Sequence, residues 1–273
     1  MSIWRVCLTL GKQNRLFLKI WKPIKRMKSP LRYPGGKTRA IPILTQRIPE
    51  GTTTLLSPFF GGGSFELSIK NVNIKANDIF EPLYTFWTEV QRDPRRVVTD
   101  IAREMPVSKE KFLGFRKHPN ISAAEYFIIN RCSFSGSTFC GGYSQQAADG
   151  RLTESSIDRI LKLDLSRIKF ERLDCIDFLR KNPPGPGVFI YADPPYYIDS
   201  YVYGRDGDLH QNFNHETFGS YMMTRNDWMM SYNDCEYIRS LYRGCRFEIV
   251  KWSYGMNSSK RSNEILIYPP ESL

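Results

Sequence analysis

The sequence is poor in the residues that bind metal ions and in patterns that predict disulfide bonds. Only three histidines occur among 273 residues, so we expect no metal site. The six cysteines form no CxxC pair and have no regular spacing, which predicts free thiols in a reducing, cytoplasmic compartment. No apolar run reaches the ~18 residues that a membrane helix requires, so we expect no membrane partner.

Acidic residues are absent from the first 28 positions, which hold eight Lys or Arg. The remaining residues therefore carry only +3 of the net charge of +11. The first segment also lacks the continuous apolar stretch of a secretory signal. We interpret residues 1–27 as a basic N-terminal extension. An organelle-targeting peptide and a basic arm on nucleic acid are alternatives, and we favour a dispensable arm or a natural start at Met27.

The rest of the chain has the composition and the pattern of an α/β protein. Hydrophobic residues make up 41% of the sequence, which is enough for one substantial core. Strand-like and helix-like segments alternate from residue 29 onward. A helix beginning at Pro82 has apolar residues at i, i+3, i+4 and i+7, and another helix is predicted at 64–69. Strands are predicted at residues 53–56, 73–76, 168–173, 188–191, 247–251 and 264–268.

This alternation stops between residues 91 and 164, where the sequence predicts charged helical segments. Ser122 and Glu125 form a capping-box pattern at the start of one helix. A loop rich in Gly, Ser and aromatic residues follows at 132–144 and is too polar for a core. We therefore predict an inserted helical subdomain that carries a binding loop. The main domain is predicted to comprise residues 28–90 and 165–273.

Several predicted strands are followed by residues suited to ligand binding. The carboxyl ends of parallel strands meet at one edge of a sheet, so we expect these residues to lie close together there. Gly61, Gly62 and Gly63 follow the first strand and would let the backbone approach a ligand closely. The chain has neither GxGxxG nor a P-loop, so phosphate binding is not favoured. Asp78 follows the second strand, where a carboxylate can accept two ribose hydroxyls or cap a helix.

The stretch YADPPYY, at residues 191–197, follows another apolar strand. Asp193 offers a fixed acceptor, and Pro195 stiffens the turn. Pro194 has no N–H, which leaves its carbonyl as a second acceptor. With the flat ring of Tyr196 beside them, these acceptors suit a planar group that carries an NH2. A purely structural turn is the alternative.

Short motifs follow one another along the chain in a specific order. They are LRYPGGK at 31–37, PFFGGGSF at 58–65, ND at 77–78, NR at 130–131, FSG at 134–136, DF at 177–178, DPPY at 193–196, SYN at 231–233 and NEILI at 263–267. This series resembles the Dam-like (D12 class, α-group) adenine-N6 DNA methyltransferases. The resemblance implies a Rossmann-like methyltransferase fold with an inserted DNA-recognition subdomain, S-adenosylmethionine as cofactor and double-stranded DNA as partner.

The resemblance also implies roles for individual residues. The implied cofactor-binding residues are Tyr33, Lys37, Phe59, Gly61, Gly62, Gly63, Asp78, Asp177, Phe178 and Asp193, with Asp177 and Phe178 at the adenine of the cofactor. The implied catalytic residues, which hold a flipped base, are Asp193, Pro194, Pro195, Tyr196 and Lys37. DNA contacts are expected from Arg131, Phe134, Ser135 and Gly136, and phosphate contacts also from Arg92, Arg95, Arg96, Lys260 and Arg261. Phe59 and Phe178 are alternatively ordinary core residues, and Lys37 a solvated charge.

Two positions depart from the family pattern. The strand before the glycines often ends in an acid, but Ser57 stands there. Members that recognise GATC tend to carry an Arg five residues after the loop aromatic, where this chain has Phe139, so a GATC target is not implied.

The sequence thus predicts transfer of a methyl group from S-adenosylmethionine to N6 of a flipped adenine in duplex DNA. One alternative is another amino methyltransferase, acting on cytosine N4 in DNA, adenine N6 in RNA or glutamine in protein. The other is a non-catalytic DNA-binding relic. A cognate restriction endonuclease is a candidate partner.

Overall fold

A computed structural model describes residues 27–197, 212–250 and 264–270, which contain seven strands and ten helices. The strands are β1 (Thr54–Ser57), β2 (Asn73–Asn77), β3 (Ile168–Glu171), β4 (Val188–Ala192), β5 (Trp228–Asn233), β6 (Arg246–Val250) and β7 (Glu264–Tyr268). The helices are α1 (Ile41–Thr45), α2 (Glu81–Arg92), α3 (Pro94–Glu104), α4 (Lys109–Lys117), α5 (Ala123–Cys132), α6 (Gln145–Arg151), α7 (Glu154–Leu161), α8 (Cys175–Lys181), α9 (His215–Met222) and α10 (Glu236–Leu241). The basic extension, apart from Met27, lies outside the described residues.

The seven strands form one sheet in the order β3-β2-β1-β4-β5-β7-β6. Neighbouring strands from β3 to β5 are parallel, and β7 is antiparallel to both β5 and β6. The chain runs outward from β1 to β3 and then returns to β4 on the other side of β1. Such a reversal leaves a crevice at the carboxyl ends of β1 and β4, where open sheets bind ligands.

Both faces of the sheet are buried at its central strands β1 and β4. Adjacent residues of a strand point to opposite faces, so Leu55 and Tyr191 join one hydrophobic cluster while Leu56 and Ala192 join the other. Two covered faces explain the continuous apolar run VFIYA of β4, whereas β3, with the sequence IKFE, alternates.

The predicted fold class is confirmed, and all six predicted strands are present with ends shifted by at most two residues. The interior strand β5 was missed, because Trp228–Asn233 has the sequence WMMSYN, which lacks the β-branched residues typical of strands and shows neither a long apolar run nor regular alternation. The helix predicted at 64–69 is wrong. A single 3-10 turn at Glu66–Ser68 is present and the backbone is extended at Ile69, since the chain must enter β2 directly afterwards.

Helices α3 to α7 occupy the segment that interrupts the alternation. Helix α5 has the predicted capping box between Ser122 and Glu125, and it packs against α2, α3, α4 and α6. Phe112 and Phe127 of this segment belong to the same hydrophobic cluster as one face of the sheet. The helices are therefore packed onto the sheet, and the boundaries 91 and 164 of a separate subdomain stay a prediction.

No helix within the three described ranges is long and apolar enough to cross a bilayer. In the same part of the chain, no group of three His, Cys, Asp or Glu side chains is arranged to hold a metal ion.

Candidate active site

A cavity of about 450 Å³ opens at the carboxyl ends of β1, β2 and β4. This volume lies in the range of pockets that hold cofactors and other small molecules. Segments that are far apart in the sequence meet in its wall. The predicted site residues found there are Tyr33, Lys37, Phe59, Gly61, Gly62, Gly63, Asp78, Asp193 and Pro195.

The glycine loop after β1 packs closely against Tyr33. A Cβ atom at Gly62 would lie 2.7 Å from the Cβ of Tyr33, and one at Gly61 would lie 2.9 Å from its ring. Gly61 and Gly63 also have φ angles of 51° and 63°, which favour glycine. The indole Nε1 of Trp87 donates to the carbonyl of Gly61 at 3.0 Å and fixes the loop from behind. Glycine is therefore required where Tyr33 packs on the loop, and the same three glycines line the cavity.

Asp78, directly after β2, ties the glycine loop to the neighbouring strand. Its Oδ2 accepts from the N–H of Gly61 at 2.9 Å, and its Oδ1 accepts from the N–H of Phe80 at 3.0 Å. Burial raises the pKa of Asp78 to about 6, against the lowering effect of these two bonds. Each carboxylate oxygen retains a second lone pair for a hydroxyl in the cavity. Asp78 thus caps a turn and also lines the site.

Asp193, the first residue after β4, is held by two side chains. Lys37 Nζ donates to its Oδ2 at 2.7 Å, and Ser231 Oγ donates to its Oδ1 at 2.7 Å. The Lys37 side chain is 4% exposed and also donates to the Gly35 carbonyl at 2.9 Å, whereas the Asp193 side chain is 23% exposed. Lys37 and Ser231 therefore orient the Asp193 carboxylate while leaving it open to the cavity.

Lys37 is a buried cation rather than a solvated one. Burial works against the charged form, but the attraction of Asp193 and Glu264 holds the pKa of Lys37 above its usual value. The ammonium therefore stays charged at neutral pH. This excludes the alternative of a solvated helix charge.

The turn after Asp193 is fastened to β5. Pro194 is buried and Pro195 lies in the cavity wall. Asn233 accepts from the backbone N–H of Tyr197 at 3.0 Å and donates to its carbonyl at 2.8 Å. Tyr196 is half-buried, with Lys37 Nζ 4.9 Å from its ring centroid and the Tyr232 ring at 6.0 Å. The motif at 231–233 thus orients both Asp193 and the aromatic turn, a role that sequence reasoning did not assign.

The expectation for Asp177 and Phe178 is not met, because neither residue lines the cavity. Asp177 is exposed and pairs with Arg180 at 3.2 Å, while Phe178 is fully buried in the core. Asp174, Cys175 and Ile176 line the cavity instead. Helix α8 begins at this point, and Asp174 caps it by accepting from the N–H of Ile176 at 2.8 Å. The cap brings the first turn of α8 to the cavity and turns the following residues away.

Glu66 is a cavity residue that sequence reasoning missed. Its Oε1 accepts from Ser57 Oγ at 2.7 Å, and both side chains are buried. The family pattern places an acid at the end of β1, where this chain has Ser57. The fold brings the carboxyl group of Glu66 to the same place from nine residues further along the chain. No local pattern signals this contact, because Glu66 follows the glycine loop as one charge among apolar residues.

The loop after α5 is docked onto the motif at 31–37. Asn130 accepts from the N–H of Arg32 at 2.9 Å and donates to its carbonyl at 2.6 Å. Ser135 and Gly136 have φ angles of 55° and 75°, and Gly136 lies against Arg32. The side chain of Phe134 is left 69% exposed at the tip. The fold thus holds a solvent-facing aromatic ring on a loop that is docked against the motif at 31–37.

Phe139 of this loop and Arg131 of α5 are both buried. Phe139 packs edge-on against Phe80 at 5.7 Å, so the position that carries Arg in GATC-recognising relatives belongs to the core here. Arg131 lies over the Phe127 ring at 5.5 Å and has no ion pair with an acid among the described residues. Burial and neighbouring arginines lower the pKa of Arg131 to about 10, which leaves it charged.

The remaining candidate phosphate contacts differ in their surroundings. Arg92 and Arg96 both pair with Glu89 on the helix surface, so their charge is partly balanced. Arg95 is exposed. Lys260 and Arg261 lie outside the described residues.

The mostly parallel sheet, with a glycine loop after β1 and an acidic, proline-stiffened turn after β4, defines a Rossmann-like methyltransferase. The model of the D12 class N6 adenine-specific DNA methyltransferases matches residues 33–257, and the chain belongs to this family. The resemblance inferred from the ordered motifs is therefore confirmed.

A curated relative is consistent with this membership. The "Modification methylase StsI" of Streptococcus sanguinis is 25% identical over 211 residues, which cover 67% of this chain and 31% of that protein. The chain thus spans about a third of the length of this relative.

Proposed function

We propose that the chain is a site-specific DNA methyltransferase that moves a methyl group from S-adenosylmethionine to N6 of an adenine flipped out of double-stranded DNA. The observation that carries this proposal is the Asp193 carboxylate. It is oriented by Lys37 and Ser231 and opens into the cavity that the glycine loop borders. Family membership agrees with the proposal.

The cavity residues fit S-adenosylmethionine. The bare backbone of the glycine loop allows close approach, and Asp78 has acceptor capacity for ribose hydroxyls. Phe59, held edge-on by Phe218 at 5.2 Å, adds an apolar wall. When bound, the cofactor supplies an electrophilic methyl group. We assign its binding to Tyr33, Lys37, Phe59, Gly61, Gly62, Gly63, Asp78 and Asp193, and extend the wall to Asp174, Cys175 and Ile176 in place of Asp177 and Phe178.

The catalytic work of the chain is to orient and polarise an amino group. Its nitrogen is a poor nucleophile because the lone pair is delocalised into the purine ring. Asp193 would accept one of its hydrogens and the Pro194 carbonyl the other, which favours a tetrahedral nitrogen and stabilises the positive charge that develops. Pro195 and Tyr196 hold the shape of this acceptor site, and no strong base is needed because positioning supplies much of the rate.

The DNA side of the proposal rests on the docked loop. Extruding a base costs a few kcal/mol, and stacking on an aromatic ring such as Tyr196 returns ~1–3 kcal/mol. The exposed ring of Phe134, carried with Ser135 and Gly136, is placed to enter the duplex, as apolar wedges do in other DNA-bending proteins. Arg131 would attract a phosphate from behind this loop.

A nucleoside assay tests the proposed function. Duplex DNA of mixed sequence is incubated with methyl-labelled cofactor, digested and separated, and we expect label in N6-methyladenine. Asp193→Asn keeps the size of the side chain but loses its charge, and should reduce turnover ~10²–10³-fold. Asp158→Asn, at an acid 57% exposed on α7, is the matched control and should behave as wild type. Label in N4-methylcytosine, or turnover of Asp193→Asn within ten-fold of wild type, would refute the assignment.

We further propose a cytoplasmic, nucleoid-associated location and a cognate restriction endonuclease as partner. The five free cysteines among the described residues agree with a reducing compartment. The endonuclease is suggested by the name of the relative, a modification methylase. DNA from cells that express the chain should then resist one restriction enzyme, and the protected site would identify the target sequence.

A further inference from the structure

Glu66 is a buried acid that the proposed reaction leaves unused. Its side chain is 3% exposed, lines the cavity and belongs to the 3-10 turn after the glycine loop. Ser57 donates to it at 2.7 Å from the end of β1. A carboxyl group buried to this extent costs free energy unless it is neutral or matched by a cation. Its position in a ligand cavity therefore points to a ligand.

The groups that face Glu66 make this end of the cavity acidic. Asp193 and Lys37 interact with Glu66 across the cavity, and the Tyr191 hydroxyl of β4 faces the same space. Glu264 of β7 acts on the same Lys37. One lysine thus stands among three carboxyl groups, and its ammonium is already bonded to Asp193. With all three acids ionised, the net charge is negative and favours a cationic ligand.

We propose that Glu66, oriented by Ser57, accepts the positively charged methionine portion of S-adenosylmethionine, and that Glu66 ionises as the cofactor binds. This inference rests on the proposed function, because it requires that cofactor in this cavity. It adds a cofactor-binding residue and a proton-linked binding step. The ligand chemistry is specific: the methionine portion carries a sulfonium, an ammonium and one carboxylate, and its net positive charge matches an acidic wall better than a neutral ligand does.

Titration of Glu66 supports this step. Burial raises the pKa of Glu66 to about 7, although the bond from Ser57 and the charge of Lys37 act in the opposite direction. A carboxyl group with this pKa is partly protonated near neutral pH, and a cation beside it lowers the pKa and releases the proton. Affinity should therefore rise with pH until Glu66 is fully ionised.

Calorimetric titration with S-adenosylmethionine tests the inference. Measurements at pH 6, 7 and 8, in buffers of different ionisation enthalpy, give both Kd and the number of protons released. For one group with a pKa near 7, wild type should bind about ten-fold more tightly at pH 8 than at pH 6. Glu66→Gln should bind more weakly at pH 8, release fewer protons and lose most of this pH dependence. Asp78 titrates in both proteins, so their difference isolates Glu66.

Two further variants complete the test. Ser57→Ala removes a bond that favours ionised Glu66, so the pH transition of Kd should move to higher pH. If Glu66→Gln does not fold, the shift measured with Ser57→Ala tests the inference instead. An unchanged pH transition of Kd in Ser57→Ala would then refute the inference. Glu171→Gln is the matched control, since Glu171 is 9% exposed, pairs with Lys181 and does not line the cavity; its Kd at each pH should equal that of wild type.

The two proposals fail in different ways. A wild-type protein that binds no S-adenosylmethionine would overturn both the proposed function and the inference. Binding with the same proton release and pH dependence in wild type and Glu66→Gln would overturn the inference alone.

Discussion

The close packing of the glycine loop on Tyr33 gives a prediction whose size follows from the structure. In Gly62→Ala, the added methyl carbon would lie 2.7 Å from the Tyr33 Cβ and 3.3 Å from its Cγ. Carbon atoms pack at ~3.5–4.0 Å, so one of the two segments must move by about 1 Å. A Cβ atom is fixed to the backbone and cannot rotate away, which means that the Tyr33 backbone or the loop itself shifts.

Such overpacking costs about 1–3 kcal/mol. Because both segments line the cavity, we expect most of this cost to appear in cofactor binding, where it corresponds to roughly a 5- to 150-fold higher Kd. Calorimetric titration with S-adenosylmethionine measures the change, and urea unfolding measures the free energy of unfolding alongside it.

Gly114→Ala is the matched control for this prediction. Gly114 lies inside α4, and a Cβ atom there meets no other atom within 4 Å. This substitution should stabilise the protein by about 0.5–1 kcal/mol and leave Kd unchanged. If Gly62→Ala bound the cofactor within two-fold of wild type, the assignment of the glycine loop to the cofactor site would be refuted.

Three further predictions concern the acid in the cavity wall and the docked loop. Burial raises the pKa of Glu66, so the wild-type protein loses part of its free energy of unfolding as pH rises from ~4.5 through about 7. Urea unfolding should show that Glu66→Gln loses about 2–3 kcal/mol less than wild type over this range. Equal losses in the two proteins would contradict burial of Glu66 as the cause. Phe134→Ala should change the free energy of unfolding by less than ~0.5 kcal/mol yet weaken duplex binding in gel shifts, whereas Leu113→Ala, at an exposed residue of α4, should change neither. Asn130→Ala leaves the backbone N–H and carbonyl of Arg32 without their side-chain partner. It should lower the free energy of unfolding by about 2 kcal/mol or more, measured by thermal unfolding. An unchanged unfolding midpoint would show that the loop is not docked this way.

The sequence by itself determined the fold class and nine residues of the cavity wall. Strand-like segments predicted six of the seven described strands, and periodicity predicted α2, because both patterns follow from which faces are buried. The glycine loop, Asp78 and Asp193 could be predicted as neighbours, since parallel strands collect their carboxyl ends at one edge. The location of such residues can be predicted from their own position along the chain and the direction of their strand.

The tertiary structure alone decided which side chains meet across that edge. The contact of Lys37 with Asp193 spans 156 residues, and neither residue signals the other locally. Helix α8 turned Asp177 and Phe178 away from the cavity, because an N-cap at Asp174 sets the direction of its first turn. Glu66 could not be predicted as a site residue for the same reason. Its proposed role depends on Ser57, Lys37 and Asp193, and only the fold brings these residues close to its buried carboxyl group.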